Sequence, residues 1–259
     1  MTEVLIVDDP ASGGILVAHA MLDLARVKPE AVFGVATGST PLQVYRALAD
    51  RARPGALDHV SCFALDEYVG LPPGHPESYR EVIDREVTLS LGLRRDQVHV
   101  PDPDPEGLPH AGSDYDRAIR EAGGVDLQIL GIGTNGHIGF NEPGSSLASR
   151  TRVKTLSHST RVDNARFFGS VDDVPLHCIT QGVGTILEAR HLVLLAFGAA
   201  KASAVRAAVE GPITSSAPGS AIQLHPHVTV IVDDAAATDL DRAGYYRSVS
   251  QHKPSWQAF

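Results

Sequence analysis

Unbroken apolar runs, not alternating ones, recur along the chain. Residues 4–7, 31–36, 60–65, 125–130, 192–197 and 228–232 are short, mostly apolar stretches. A strand solvated on one face alternates polar and apolar side chains, whereas one covered on both faces does not. These runs therefore predict buried parallel strands. Between them lie stretches with helical spacing: 11–27, 42–51, 78–89, 113–121, 164–168, 180–189 and 201–209. Gly13 and Gly14 weaken the start of the first. Residues 101–109 hold four prolines and predict a loop. The polar and aromatic stretch 245–259 is expected to be partly ordered.

Strand and helix alternate throughout. The expected class is α/β, an open, mostly parallel twisted sheet flanked by helices, Rossmann-like. With no internal repeat and no linker, residues 1–259 are expected to form a single domain. Three chemically distinctive stretches follow strand ends: 37–40, Asp66, and 131–142 (GIGTNGHIGFNE). Open α/β sheets bind ligands at that edge.

Composition narrows the partners. The formal charge is −9 over 259 residues, which opposes a nucleic-acid surface, since phosphate backbones need a concentrated basic face. The two cysteines, Cys62 and Cys178, build neither a disulfide framework nor a four-ligand zinc site. No apolar run reaches the roughly 18 residues of a membrane span, and the N-terminus lacks a signal-peptide pattern. A soluble cytoplasmic protein is expected.

Each distinctive stretch has more than one reading. Gly131, Gly133 and Gly136 fit the dinucleotide spacing, but Pro143 and Gly144 follow instead of a long helix, and residues 150–154 are basic where an acid is needed. A plain tight turn, or a turn presenting His137 and Glu142 for proton transfer, are the other readings. Thr37 to Thr40, followed by Pro41, is strand, glycine turn and helix start: an anion site or only a turn. Asp66 and Glu67 are a general base or a solvated pair, and in an extended chain only one of them faces a given site. His137 lacks metal partners at ligand spacing, and His110, His158, His225 and His227 are scattered. Arg166 and Lys201 read, by themselves, as surface charges.

Taken in order, the fragments are more specific. TGSTP at 37–41, DEYVGL at 66–71, HPESY at 75–79, GIGTNGHIGFNEPGSSLASRTR at 131–152, TRVDNARFF at 160–168, QGVGTIL at 181–187, GAAKA at 198–202 and QLHPH at 223–227 closely resemble the glucosamine-6-phosphate deaminase family, over nearly the whole chain. Related sugar-phosphate lactonases share the fold but usually continue differently after the Gly-His pair, without Phe140-Asn141-Glu142-Pro143.

The resemblance implies conversion of glucosamine 6-phosphate and water to fructose 6-phosphate and ammonia, with no cofactor and no metal. It implies that His137 opens the pyranose and that Asp66 moves a proton from C2 to C1. Asn135 and Glu142 then support the histidine. Gly38, Ser39, Thr40, Arg166 and Lys201 bind the phosphate; a Schiff base on Lys201 is the lesser reading. Some family members carry Asp where this chain has Asn135, which leaves Glu142 as the source of negative charge near His137. Ser145, Ser146, Arg152 and Lys154 match residues that, in allosteric members, bind N-acetylglucosamine 6-phosphate between subunits of a hexamer. A homo-oligomer is accordingly expected, with 157–174 as a lid. The alternatives are a lactonase or isomerase of the same fold, or a sugar-phosphate-sensing effector domain. The last would need a DNA-binding module, for which the strand beginning at Val4 leaves no room on its N-terminal side.

Overall fold

The computed structural model describes residues 2–254 and residue 257. Its first half-turn of architecture is β1 (Thr2–Val7), α1 (Pro10–Val27), β2 (Val32–Val35), α2 (Leu42–Arg51) and β3 (Ser61–Ala64). Asp9 caps α1 by accepting from the Ser12 N–H at 2.7 Å, and Pro10 opens it, as a helix start favours. α1 lays Val17, Ala18 and Met21 into the main core with Val44, Tyr45 and Leu48 of α2. Gly14 does more than weaken α1. A Cβ there would fall 2.6 Å from the Gln43 carbonyl carbon, so the glycine permits the close approach of the two helices.

The chain continues through β4 (Asp66–Val69), α3 (Tyr79–Ile83), β5 (Val98–His99), α4 (Leu108–Glu121), β6 (Leu127–Gly131) and β7 (Arg152–Thr155). Then come α5 (His158–Phe168), β8 (His177–Thr180), α6 (Val183–Ile186), β9 (His191–Ala196), α7 (Ala202–Val209), β10 (Val228–Asp233) and α8 (Ala243–Gln251). Seven strands make one sheet in the order β1-β10-β9-β6-β2-β3-β5, and every pair in it is parallel. All six residues of β9 are buried, which accounts for its unbroken apolar run. From β2 the chain builds outward through β3 to β5. It then returns to place β6 on the other side of β2. The direction of winding therefore switches between β6 and β2, the crevice where such sheets take ligands.

A second sheet departs from the sequence expectation. β4, β8 and β7 form a small antiparallel sheet, in that order. Residues 180–189, expected to be helical, are the end of β8 followed by a single turn, α6. Residues 152–155, to which the sequence pattern assigns no element, are an edge strand. Both are four-residue strands stabilised by their neighbours, too short for periodicity to register. This sheet covers a separate cluster of Tyr68, Phe140, Leu156, Val174 and Cys178, onto which Tyr79, Ala165 and Phe168 pack.

Smaller differences concern ends. The helix expected over 78–89 is α3 followed by a π-helical turn at Asp84–Thr88. α5 begins at His158 rather than at 164. α4 begins at Leu108 with Pro109 in its first turn, inside the expected loop. Of the C-terminal stretch, α8 is ordered and Lys253 pairs with Glu3 at 2.7 Å, while Ser255, Trp256, Ala258 and Phe259 lie outside the described residues. Among the described residues, no helix is long and apolar enough to cross a membrane.

Candidate active site

Because the large sheet is wholly parallel, the C-terminal ends of β9, β6, β2 and β3 line up along one edge as neighbours. Each carries a distinctive stretch. Lys201 follows β9, the turn at 132–142 follows β6, Gly38 to Thr40 follow β2, and Asp66 follows β3. The switch point lies between the His137 turn and the Gly38–Thr40 turn.

Asp66 is 5% exposed. Burial, then the neighbouring Glu67 charge, pushes its carboxyl up to about 8, against the pull of the Phe140 N–H. In register it faces Thr180, whose Oγ1 accepts from the Phe140 N–H at 3.1 Å. Gly139, with φ of +53°, passes directly above: a Cβ there would lie 3.4 Å from Asp66 Oδ2 and 3.0 Å from Thr180 Oγ1. The turn that carries His137 and the carboxylate thus meet through Gly139.

Glu67 is neither a solvated partner nor a second base. Its Oε1 accepts the N–H groups of Tyr68 (2.7 Å) and Tyr79 (2.8 Å), and Oε2 that of Arg80 (2.8 Å). It satisfies free donors at the start of α3, where a negative charge also suits the helix dipole. Alternation along β4 turns it away from Asp66, so one carboxylate of the pair is structural.

His137 is held by its own turn. Its N–H and its Nδ1 both meet Asn135 Oδ1, at 3.1 and 2.7 Å. Asn135 Nδ2 donates to Glu142 Oε2 at 3.0 Å. A carboxylate only accepts, so the amide end of Asn135 must face Glu142 and its carbonyl end must face the imidazole. Nδ1 consequently carries a proton in both charge states, and Nε2 is the nitrogen that titrates. Burial pushes His137 down. Glu142, 3.9 Å from Nδ1, pulls it up, and Lys201 pushes it down again, leaving it below the ordinary histidine range. For Glu142 burial raises the carboxyl, but hydrogen bonds from Thr160, Asn135 and Ser157 outweigh it and the net shift is downward. Glu142 therefore stays ionised beside the histidine.

The cationic residues lie across the same edge. Lys201 Nζ donates to the Ile132 carbonyl at 2.7 Å. Burial lowers its ammonium, Asp163 raises it and Arg166 lowers it, which places both residues of α5 within electrostatic reach. Arg166 is exposed, with its guanidinium carbon 4.7 Å above the Phe167 ring centre. Among the described residues, the N–H groups of Gly38, Ser39 and Thr40 donate to no protein acceptor. They precede α2 and remain available to an anion.

The expected effector residues are less assembled. Ser145 is buried, with an Oγ that has no hydrogen-bond partner among the described residues. Ser146 is exposed and accepts from the Ala148 N–H at 3.3 Å. Arg152 and Lys154 share one face of β7, but Arg152 is turned to Asn141 Oδ1 at 2.8 Å. Among the described residues, no group of three or more His, Cys, Asp or Glu side chains is placed to hold a metal ion.

Reading the chain alone missed three groups here. Ser157 donates to Glu142 Oε1 at 2.9 Å, and Thr160 joins it. Asn141 ties the turn to β8, donating to the carbonyls of Ile138 (3.0 Å) and Gln181 (2.8 Å). Gly133 lies against the imidazole. For Ser157 a signal existed: a serine three residues before Thr160 at the head of a helical stretch is an N-cap pattern.

Comparisons with known proteins give a family and a fold. Residues 14–231 match the family model described as glucosamine-6-phosphate isomerases/6-phosphogluconolactonase. A glucosamine-6-phosphate deaminase of Streptomyces avermitilis is 60% identical, with 98% of this chain and 99% of the relative covered. One of Mycolicibacterium smegmatis is 55% identical over the same shares. Among solved structures, a monomeric glucosamine-6-phosphate deaminase superposes with a TM-score of 0.88 at 38% identity, covering 92% of this chain and 99% of that one. A 6-phosphogluconolactonase from Trypanosoma cruzi, at 0.76 and 19% identity over 93% and 97%, shares the fold.

Proposed function

The chain belongs to the family of glucosamine-6-phosphate isomerases and 6-phosphogluconolactonases, and we propose that its site converts glucosamine 6-phosphate and water to fructose 6-phosphate and ammonia, in amino-sugar catabolism. The observation that carries this reading is a buried carboxyl, Asp66, packed beneath Gly139 of the turn that carries His137, whose free nitrogen is fixed as Nε2. Lactone hydrolysis needs a base for water. Aldose–ketose isomerisation needs a base for a carbon-bound proton, which a desolvated carboxylate with a raised pKa serves well.

The pyranose opens first. Nε2 of His137 takes the proton of the anomeric hydroxyl and returns one to the ring oxygen. Glu142, relayed through Asn135, stabilises the imidazolium between the two transfers. The C1 aldehyde so formed acidifies the C2 proton. Asp66 removes it, giving an enolamine, and delivers it to C1. The resulting ketimine adds water at C2 and expels ammonia, so the last step is formally an imine hydrolysis. Every step is proton transfer or hydration, which calls for no redox cofactor. Lys201, Arg166 and the N–H groups at 38–40 take the phosphate, Arg as a fork and Lys as a point charge.

Segment 157–174 serves as the lid, bringing Arg166 to the phosphate. The four-residue effector site of Ser145, Ser146, Arg152 and Lys154 is a further proposal. Its phosphate would compete with Asn141 Oδ1 for Arg152, and Asn141 adjoins Glu142. The monomeric relative shows that the activity does not depend on a hexamer in every member, so effector response and assembly have to be measured together.

The test is ammonia release from glucosamine 6-phosphate by the wild type and by Asp66→Asn. A wild type that releases none, or a variant with full activity, removes this reading.

A further inference from the structure

Ser157 lies outside the reacting groups, yet it touches two of the devices that serve them. Its side chain is the N-cap of α5, accepting from the Thr160 N–H at 3.2 Å. The same Oγ lies 2.9 Å from Glu142 Oε1, and the Ser157 N–H points at that oxygen from 3.4 Å. A hydroxyl has one proton and two lone pairs. Glu142 is ionised and can only accept, so the proton goes to it. One lone pair then accepts the helix-cap N–H of Thr160 and the other the Ser159 hydroxyl, at 3.2 and 2.9 Å.

The other oxygen of Glu142 is taken by Asn135, and Asn135 holds His137. One hydroxyl therefore belongs both to the head of α5 and to the chain Glu142–Asn135–His137. α5 also carries Asn164, bonded to the Tyr68 hydroxyl at 2.9 Å, and Arg166.

We propose that Ser157 is a positioning residue for ring opening: by donating to Glu142 while capping α5, it sets the carboxylate that orients His137 and ties that orientation to the docking of α5. This rests on the assignment of His137 to ring opening made above.

The capping role and the positioning role are separable by substitution. Aspartate caps helices about as well as serine, so Ser157→Asp keeps α5 capped while setting a second carboxylate against Glu142. The expected result is a fall in kcat of about ten-fold. The melting temperature should stay near that of the wild type. The acidic limb of the kcat profile should move to higher pH, because the added negative charge favours the protonated forms of Glu142 and His137. Ser157→Thr retains the hydroxyl and should restore kcat to within about two-fold. A Ser157→Asp enzyme with wild-type kcat and an unmoved limb overturns the proposal, as does a Ser157→Thr enzyme no better than Ser157→Asp. Failure of the underlying assignment looks different: His137→Gln would still open the pyranose, whatever Ser157 does.

Discussion

The imidazole of His137 lies across Gly133 so closely that a Cβ on the glycine would come within 2.5 Å of Nε2 and nearer still to Nδ1 and Cε1. The glycine is thus the floor on which the histidine rests. Gly133→Ala should displace the ring from Asn135. The loss expected in kcat is about 10- to 100-fold, from misplacing a proton-transfer group. The ring is 22% exposed and has solvent to move into, so unfolding should change little. Steady-state kinetics with a thermal melt checks both halves.

Asp66 should cost stability as well as supply chemistry. Its folded pKa, about 8, is above its ordinary value of 3.8. The folded state therefore binds the proton that the unfolded chain releases. Stability contributed by the neutral carboxyl is fully present below 3.8 and is lost as pH rises to about 8. Asp66→Asn should be more stable than the wild type, by a margin that grows between pH 5 and pH 8. Equal margins at the two pH values would show that the carboxyl is not buried as described.

Asn135→Asp should move the acidic limb of the pH–rate profile upward, since a carboxylate beside Nδ1 favours imidazolium. The shift should be smaller than that of a full added charge. The new carboxyl would face Glu142 across the position where Asn135 Nδ2 now donates at 3.0 Å, and two carboxylates so placed share a proton. An unmoved limb would argue against the division of labour between Asn135 and Glu142.

Velocity against glucosamine 6-phosphate should rise at low substrate when N-acetylglucosamine 6-phosphate is added, and Arg152→Gln should abolish that rise. Superimposable wild-type curves would remove the effector site. Sedimentation in the same buffers would show whether assembly accompanies the response.

Lys201→Gln should raise KM more than it lowers kcat, by about ten-fold or more, because a charge-assisted contact to phosphate is lost while the proton-transfer groups stay. A loss confined to kcat would instead revive the Schiff-base reading.

The main sheet was legible because β9, β10 and the strands like them are covered on both faces and must be apolar throughout. The small sheet was not. Asp66–Val69 continues almost directly from β3 with no turn residue between them, and RVKT and HCIT carry no period long enough to read. Glu67 shows the same limit. Adjacent carboxylates are chemically alike in a sequence, and only the fold sends one to the start of α3 and the other to the site. Arg152 was grouped with two serines by resemblance, whereas the structure turns it toward Asn141.

Among the described residues, β1 pairs only with β10, Thr2 standing in register with Val228. Made before the other described strands, it is thus the last to find its neighbour. Until residues 228–233 are made, it has no hydrogen-bonding partner in the sheet, while β2, β3 and β5 can already associate. Loop closure over so long a span is slow. During synthesis, the apolar run at residues 4–7 therefore stays unpaired longest, the kind of exposed strand that favours aggregation before folding is complete.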